Sequence, residues 1–311
     1  MKLLNKGLWP VMLTPFEESG EVDVQALEHL TEFYIEAGSD GLFANCLSSE
    51  MFQLSNEERY LITKTVVKKT AGRIPVITTG SFSNNMDLCT EFVKKIHDTG
   101  VHGVVISTNQ PCDEFASEDE FRTKMEYLIN KTGNIPLGLY ECPVPYKRLI
   151  SPGLLKWLSE FDRFVYHKDT SCDMEQISKK LLATMGTSLG IYNAHVPTGL
   201  NSLVQGARGL SPIAANFYPE LFTYLLKYHD DSTKSADIQV LNEYLDMMDT
   251  IIHINYPISA KLFLQKRGMN IKPYSRIVRS SFTKHDINKV NMLLRVFERI
   301  TNELNIERVQ L

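Results

Sequence analysis

Short apolar runs alternate with amphipathic, helix-spaced stretches along most of the chain, and that alternation constrains the fold more than any other feature. Gly7 to Phe16, Gly41 to Asn45, Ile74 to Thr79 and Val101 to Ser107 read as strands, as do Ile135 to Tyr140, Phe164 to Ser171, Thr187 to Tyr192 and Gly209 to Ala214. Helical spacing fills the intervals. Asp23 to Ala37 carries Leu27, Leu30, Phe33 and Tyr34 on one face, and Met86 to His97 is similar. Ser55 with Glu58, and Ser117 with Glu120, have the spacing of capping boxes, while Ser151-Pro152 supplies an N-cap with proline at the first helical position. Asp173 to Thr184, Pro197 to Gln205 and Tyr218 to Tyr228 complete eight helices. Eight strand–helix units within about 225 residues fit a closed (β/α)8 TIM barrel better than an open doubly wound sheet. No Gly-x-Gly-x-x-Gly run follows the first strand, which counts further against a dinucleotide fold.

The remainder is helical. Ala236 to Ile254 aligns Leu241, Leu245, Met248 and Ile252, and two more helices are expected over Pro257 to Arg267 and Lys284 to Leu304. The polar run Asp230 to Ser235 divides a barrel over residues 1–229 from a C-terminal helical extension of three helices over residues 230–311. Net charge bounds the partners. At −4, with acidic and basic residues interspersed, the chain has no basic footprint for nucleic acid or anionic membrane. No apolar run reaches the roughly 18–20 residues of a spanning helix. The start, Met1 to Lys6, lacks the apolar core of a secretory signal, and five widely spaced cysteines suit a reducing compartment. A cytoplasmic globular protein is expected.

In a barrel of this kind the chemistry lies at the carboxyl ends of the strands. Lys168 ends strand six, directly after the apolar run Phe164-Val-Tyr166 and His167. Two readings are open: an ammonium that escapes to solvent or pairs with Asp169, or a desolvated amine that attacks a carbonyl carbon. Tyr140 ends strand five, so the two side chains are expected to be neighbours, and a phenol can carry protons for an amine that builds and collapses a carbinolamine. After strand two, Cys46-Leu-Ser-Ser-Glu50 offers consecutive amides and two hydroxyls to an anion, or is simply a turn whose serines satisfy their own backbone. His167 is expected on the opposite side of its strand from Lys168. Cys46, Cys112, Cys142 and Cys172 follow strand ends, but none of them forms a C-x-x-C pair, so no metal and no cofactor is expected.

These residues fall into a pattern that resembles the dihydrodipicolinate synthase / N-acetylneuraminate lyase family of Schiff-base aldolases. It is carried by Thr14-Pro15-Phe16, Gly41 to Glu50, Leu54-Ser55-x-Glu57-Glu58-Arg59, Tyr140-x-x-Pro143, Lys168-Asp169-x-Ser171, Gly206 to Gly209 with Asn216, and Pro257-x-x-x-Lys261 before Gly268. The resemblance implies a homo-oligomer, dimer or tetramer, in which Lys168 forms an imine with pyruvate or another 2-keto acid and Tyr140 relays protons. The expected substrate contacts are Leu47 and Ser48, Thr108, and Ser211.

The chain departs from the family in informative places. Leu47 replaces one of two hydroxyl residues that hold the keto-acid carboxylate, and losing such a bond costs on the order of 1.5–3 kcal/mol. Ser107-Thr108-Asn109 stands where the synthases carry paired tyrosines. Pro145 aligns with their carboxylate-binding arginine, and Ala194-His195 replaces a Gly-Asp pair of the neuraminate lyases. The expected activity is a lyase or aldolase acting on a 2-keto acid or sugar acid. Dehydration of a 2-keto-3-deoxy sugar acid through the same imine, and a catalytically weak ligand-binding relative, are the alternatives.

Overall fold

The structure, a computed structural model, describes residues 4–277 and 282–311; the first three residues of the expected non-secretory start lie outside them. Eight parallel strands form one sheet: β1 (Gly7–Leu8), β2 (Leu42–Phe43), β3 (Val76–Thr79), β4 (Gly103–Ser107), β5 (Leu137–Tyr140), β6 (Phe164–Asp169), β7 (Gly190–Asn193) and β8 (Gly209–Leu210). β1 pairs with β8, and a parallel bridge between Val11 and Phe43 joins the first segment to β2, so the sheet closes into a barrel. The β1–β8 seam requires glycine, because a Cβ on Gly209 would stand 1.9 Å from the Gly7 carbonyl oxygen.

Helices follow the strands in turn: α1 (Val24–Glu36), α2 (Asn56–Thr70), α3 (Met86–His97), α4 (Glu118–Lys131), α5 (Pro152–Ser159), α6 (Met174–Ala183), α7 (Gly199–Val204) and α8 (Pro219–Tyr228). Their starts are where the caps predict. Ser55 and Glu58 form a reciprocal capping box, and Ser151 accepts from the Leu154 amide with Pro152 leading the helix. Ser117 caps the Glu120 amide. The strands are shorter than their apolar runs, most of all the first and last. Pro10 and Pro212 carry no amide hydrogen and interrupt those ladders beyond Leu8 and Leu210.

Three further helices, α9 (Ser235–Ile252), α10 (Ile258–Arg267) and α11 (Lys284–Glu303), pack against the barrel. Leu241, Leu245, Met248 and Ile252 of α9 belong to the same apolar cluster as the helix-facing strand residues. A second cluster fills the barrel interior with rings: Tyr166 stacks on Tyr192 at 4.4 Å, with Trp9 against both and Phe43 edge-on to Tyr140 and Tyr166. No helix of the described residues is long and apolar enough to cross a membrane.

Between the ends of β5 and β6 and helix α6 lies a buried ionic group. The Lys180 ammonium donates to Glu141 and to Asp169, each at 2.5 Å, and all three side chains are almost fully buried. Burial opposes the charge on Lys180, but Glu141 and Asp169 outweigh it and hold the group above its ordinary range. Replacing Lys180 by methionine should leave two carboxylates buried without their cation. The expected loss is about 3–5 kcal/mol, read as a lower urea midpoint with an unchanged slope.

Candidate active site

The carboxyl ends of the strands open into a cavity of about 850 Å³ whose lining includes Lys168, Tyr140, Leu47 and Ser48. Tyr140 and Lys168 pair directly in the β5–β6 register. The Lys168 Nζ lies 4.9 Å from the centre of the Tyr140 ring. Lys168 is only 3% exposed, and among the described residues no carboxylate pairs with it. Asp169 points to the other side of the strand and is taken by Lys180. Burial therefore brings the Lys168 amine down to about 8, with Cys46 and Cys142 pulling slightly the other way. The ammonium thus neither escapes to solvent nor pairs with Asp169. Burial, reinforced by Cys142, Cys46 and Tyr256, holds the Tyr140 phenol well above its ordinary range, so it stays protonated and able to donate.

His167 faces away from Lys168, as the alternation requires. It is fully buried, with Nε2 3.5 Å from Glu141 and 3.9 Å from Asp169. Glu141, His167 and Asp169 place one ligand-type atom each within 4.8 Å of one another, and the Lys180 ammonium already bonds both carboxylates there. That cluster belongs to the framework behind the strands, not to the cavity.

Two expected substrate contacts lie elsewhere. Thr108 is buried with its hydroxyl donating to the Arg148 carbonyl at 2.6 Å, and it is not among the cavity's lining residues. Ser211 sits beneath the cavity, where it accepts from the Tyr166 hydroxyl at 2.8 Å and donates to the Trp9 carbonyl at 2.7 Å. Its hydroxyl is spent on closing the aromatic floor. Both residues follow strand ends, but their hydroxyls are claimed by neighbouring segments of chain.

In the β2 loop the two serines take different places. Leu47 to Ser49 form a short 3₁₀ turn whose first amides, as in any such turn, lack intrahelical acceptors. Ser49 turns inward, donating to the carbonyls of Met12 and Ala44, while Ser48 lines the cavity. Glu50 takes a left-handed conformation, φ 58°, and its carboxylate is buried. It pairs with Lys261 of α10 at 3.1 Å and accepts from the Ser275 hydroxyl and the Arg276 and Ile277 amides. This single carboxylate fastens the segment before residue 278 over the cavity, where Ile277 forms part of the wall.

Residues 4–296 match the family model described as the dihydrodipicolinate synthetase family. The chain belongs to that family. It is a carbon–carbon or carbon–oxygen lyase of the dihydrodipicolinate synthetase group. A 4-hydroxy-tetrahydrodipicolinate synthase of Oceanobacillus iheyensis is 25% identical over 287 residues, 92% of this chain and 95% of that one. The enzyme of the same name from Thermodesulfovibrio yellowstonii is 32% identical over 218 residues, 69% of this chain and 72% of its own. The fold matches a dihydrodipicolinate synthase structure from Bacillus anthracis at a TM-score of 0.86, with 20% identity, covering 94% of this chain and 99% of that one. A prophage protein of the same family from E. coli K12, solved with pyruvate, matches at 0.84 with 20% identity, covering 95% and 98%.

Among the cavity residues of this family member that strand ends alone do not point to, Tyr256 is the one with a hydroxyl set among polar groups. Tyr256, just before α10, lines the cavity from the C-terminal helices, and the Ser48 hydroxyl stands beside its own. Asn216 donates to the Tyr256 oxygen at 2.6 Å and to the Val11 carbonyl at 2.9 Å, and Tyr34 donates to the Asn216 amide oxygen. The phenol is thus oriented by a buried chain of three side chains. Looking only at strand ends could not reveal it; the one available signal was its place directly before the Pro257 motif. For the wall itself, Glu50→Ala should free the Arg276 amide and leave that of Ile277 to the Ser275 hydroxyl alone. Their hydrogen exchange is expected to quicken roughly tenfold or more, measured by mass spectrometry.

Proposed function

We propose that the chain is a Schiff-base lyase or aldolase acting on pyruvate or a close 2-keto acid through an imine on Lys168, with Tyr140 as the proton relay. The observation that carries this reading is a buried, unpaired amine registered directly beside a buried phenol at the mouth of a parallel barrel. The Lys168 nitrogen forms a bond to the keto carbon, the carbonyl electron pair moves to oxygen, and that oxygen takes a proton. Water then leaves as the nitrogen lone pair forms the imine, with the Tyr140 hydroxyl handing protons between nitrogen and oxygen. Removal of a proton from the adjacent carbon gives an enamine, the nucleophile or leaving fragment of an aldol step.

The keto-acid carboxylate is assigned to the Leu47 and Ser48 amides, the Ser48 hydroxyl and the Tyr256 hydroxyl. Leu47 contributes backbone only, and Tyr256 supplies a donor where that side chain cannot. The pyruvate complex of the E. coli family member supports the choice of keto acid. A homo-oligomeric, cytoplasmic enzyme agrees with this reading and with five unpaired cysteines.

Borohydride reduction with pyruvate should add one adduct on Lys168, located by peptide mass spectrometry; no adduct across a panel of 2-keto acids would defeat the proposal. Because the attacking form is the free amine, trapping should rise with pH and level off above about 8. Each unit below that value should cost about tenfold. Tyr140→Phe should slow imine formation by roughly 10²–10⁴-fold. Tyr256→Phe should instead weaken pyruvate binding by about tenfold while leaving the trapping rate at saturation little changed. Analysis of products separates dehydration, which keeps every carbon, from cleavage, which releases the keto acid.

A further inference from the structure

The cavity is far larger than a three-carbon acid requires, and its outer half has a distinct chemistry. About 850 Å³ falls in the range of roughly 300–1,000 Å³ that holds a whole drug-sized ligand. Beyond Lys168 the walls are built by Phe52, Val144, Pro145, Val196, Ile213 and Ile277, brought together from loops after four strands and from the C-terminal segment. Val144 is 44% and Ile277 46% exposed, so two large apolar side chains face water in a cavity otherwise suited to covering them.

The charged groups nearby are already committed. Lys147 donates to the Thr170 carbonyl, and the Arg148 guanidinium is turned away to the carbonyls of Asp113 and Ala116. Asp249 lines the cavity 3.6 Å from His253, and the His195 ring contacts the Thr198 hydroxyl. A second carboxylate would meet Asp249 and, apart from Lys168 at the base, find no uncommitted lysine or arginine among the described lining residues. Along Phe52, Val144, Pro145, Val196, Ile213 and Ile277 a polyhydroxylated tail would leave its hydroxyls against carbon.

We infer that the second substrate, the aldehyde that the pyruvate enamine joins or releases, is uncharged and apolar: an aliphatic or aromatic aldehyde rather than a semialdehyde acid or a sugar. This rests on the imine assigned to Lys168. In the joining direction the enamine's C3 forms a bond to the aldehyde carbon, and the C=O π pair moves to oxygen, which takes a proton. Water hydrolyses the resulting imine, returning the lysine amine and releasing a 4-hydroxy-2-keto acid with an apolar tail. Cleavage is the reverse.

With pyruvate as co-substrate, kcat/KM should climb along acetaldehyde, butanal and hexanal by about fourfold per methylene, the equivalent of about 0.8 kcal/mol for each CH₂ buried. Glyceraldehyde and succinic semialdehyde should trail hexanal by at least tenfold. Val144→Asp and Ile277→Asp, both at exposed positions, should flatten the series. A flat series in the unaltered protein, or a preference for the hydroxylated or anionic aldehyde, overturns the assignment. A second measurement is independent of the imine: calorimetric binding of butan-1-ol and hexan-1-ol to the Lys168→Ala protein. Tighter binding of the longer alcohol, lost in Ile277→Asp, upholds the apolar subsite even where no pyruvate adduct can be trapped. No dependence on chain length there overturns it, whatever the trapping shows.

Discussion

The arrangement depends on a charge cluster that never meets the substrate. Glu141 directly follows Tyr140, Asp169 directly follows Lys168, and the ammonium of Lys180 bonds both carboxylates from behind. Glu141 also accepts from the amides of Ile150 and Thr170, and its carbonyl accepts from the Thr170 hydroxyl. The two strand ends are therefore tied together on the helix side while their preceding residues face the cavity. Because side chains alternate along a strand, fixing the outward pair fixes the inward pair. The cluster also consumes Asp169, the nearest carboxylate in sequence, so among the described residues no carboxylate neutralises Lys168 and burial dominates its basicity.

Beneath the site, rings do the packing that a barrel interior demands. Trp9, Phe43, Tyr166 and Tyr192 fill the space, and their polar tips find partners in Asn5, Ser211 and the backbone. This floor excludes water from below the amine, which is the physical origin of its lowered pKa. Above it, the C-terminal helices complete what the barrel leaves open. α10 brings Lys261 to Glu50, and Tyr256 just before it stands beside Ser48, so the cavity wall draws on both parts of the chain.

The departures from the family pattern form a consistent set under this geometry. Leu47 and Pro145 join Val144 and Ile277 in an apolar cavity wall, Thr108 is turned into a hydrogen bond with the Arg148 backbone, and Arg148 itself serves the loop after β4. What is lost in polar recognition on the outer side is gained as apolar surface, while the amine and phenol at the base are unchanged. Under the proposed imine mechanism, the same chemical base with a changed outer wall would serve a different partner.

The sequence by itself determined the barrel, because local periodicity and caps specify strands and helices where each is written. It also determined that Lys168 and Tyr140 would be neighbours, since parallel strands consecutive in the chain lie side by side. Helix starts at Asn56, Met86 and Pro152 were legible to the residue. Only the tertiary structure decided which hydroxyls were free to bind a ligand. Ser211 and Thr108 carry the right chemistry at expected places, yet segments distant in sequence claim them. Tyr256 and Ile277, from outside the barrel's repeating pattern, reach the cavity through contacts that no local period encodes. Hydrogen-bond partnership across 40 or more residues is settled by packing, and packing is where local pattern stops speaking.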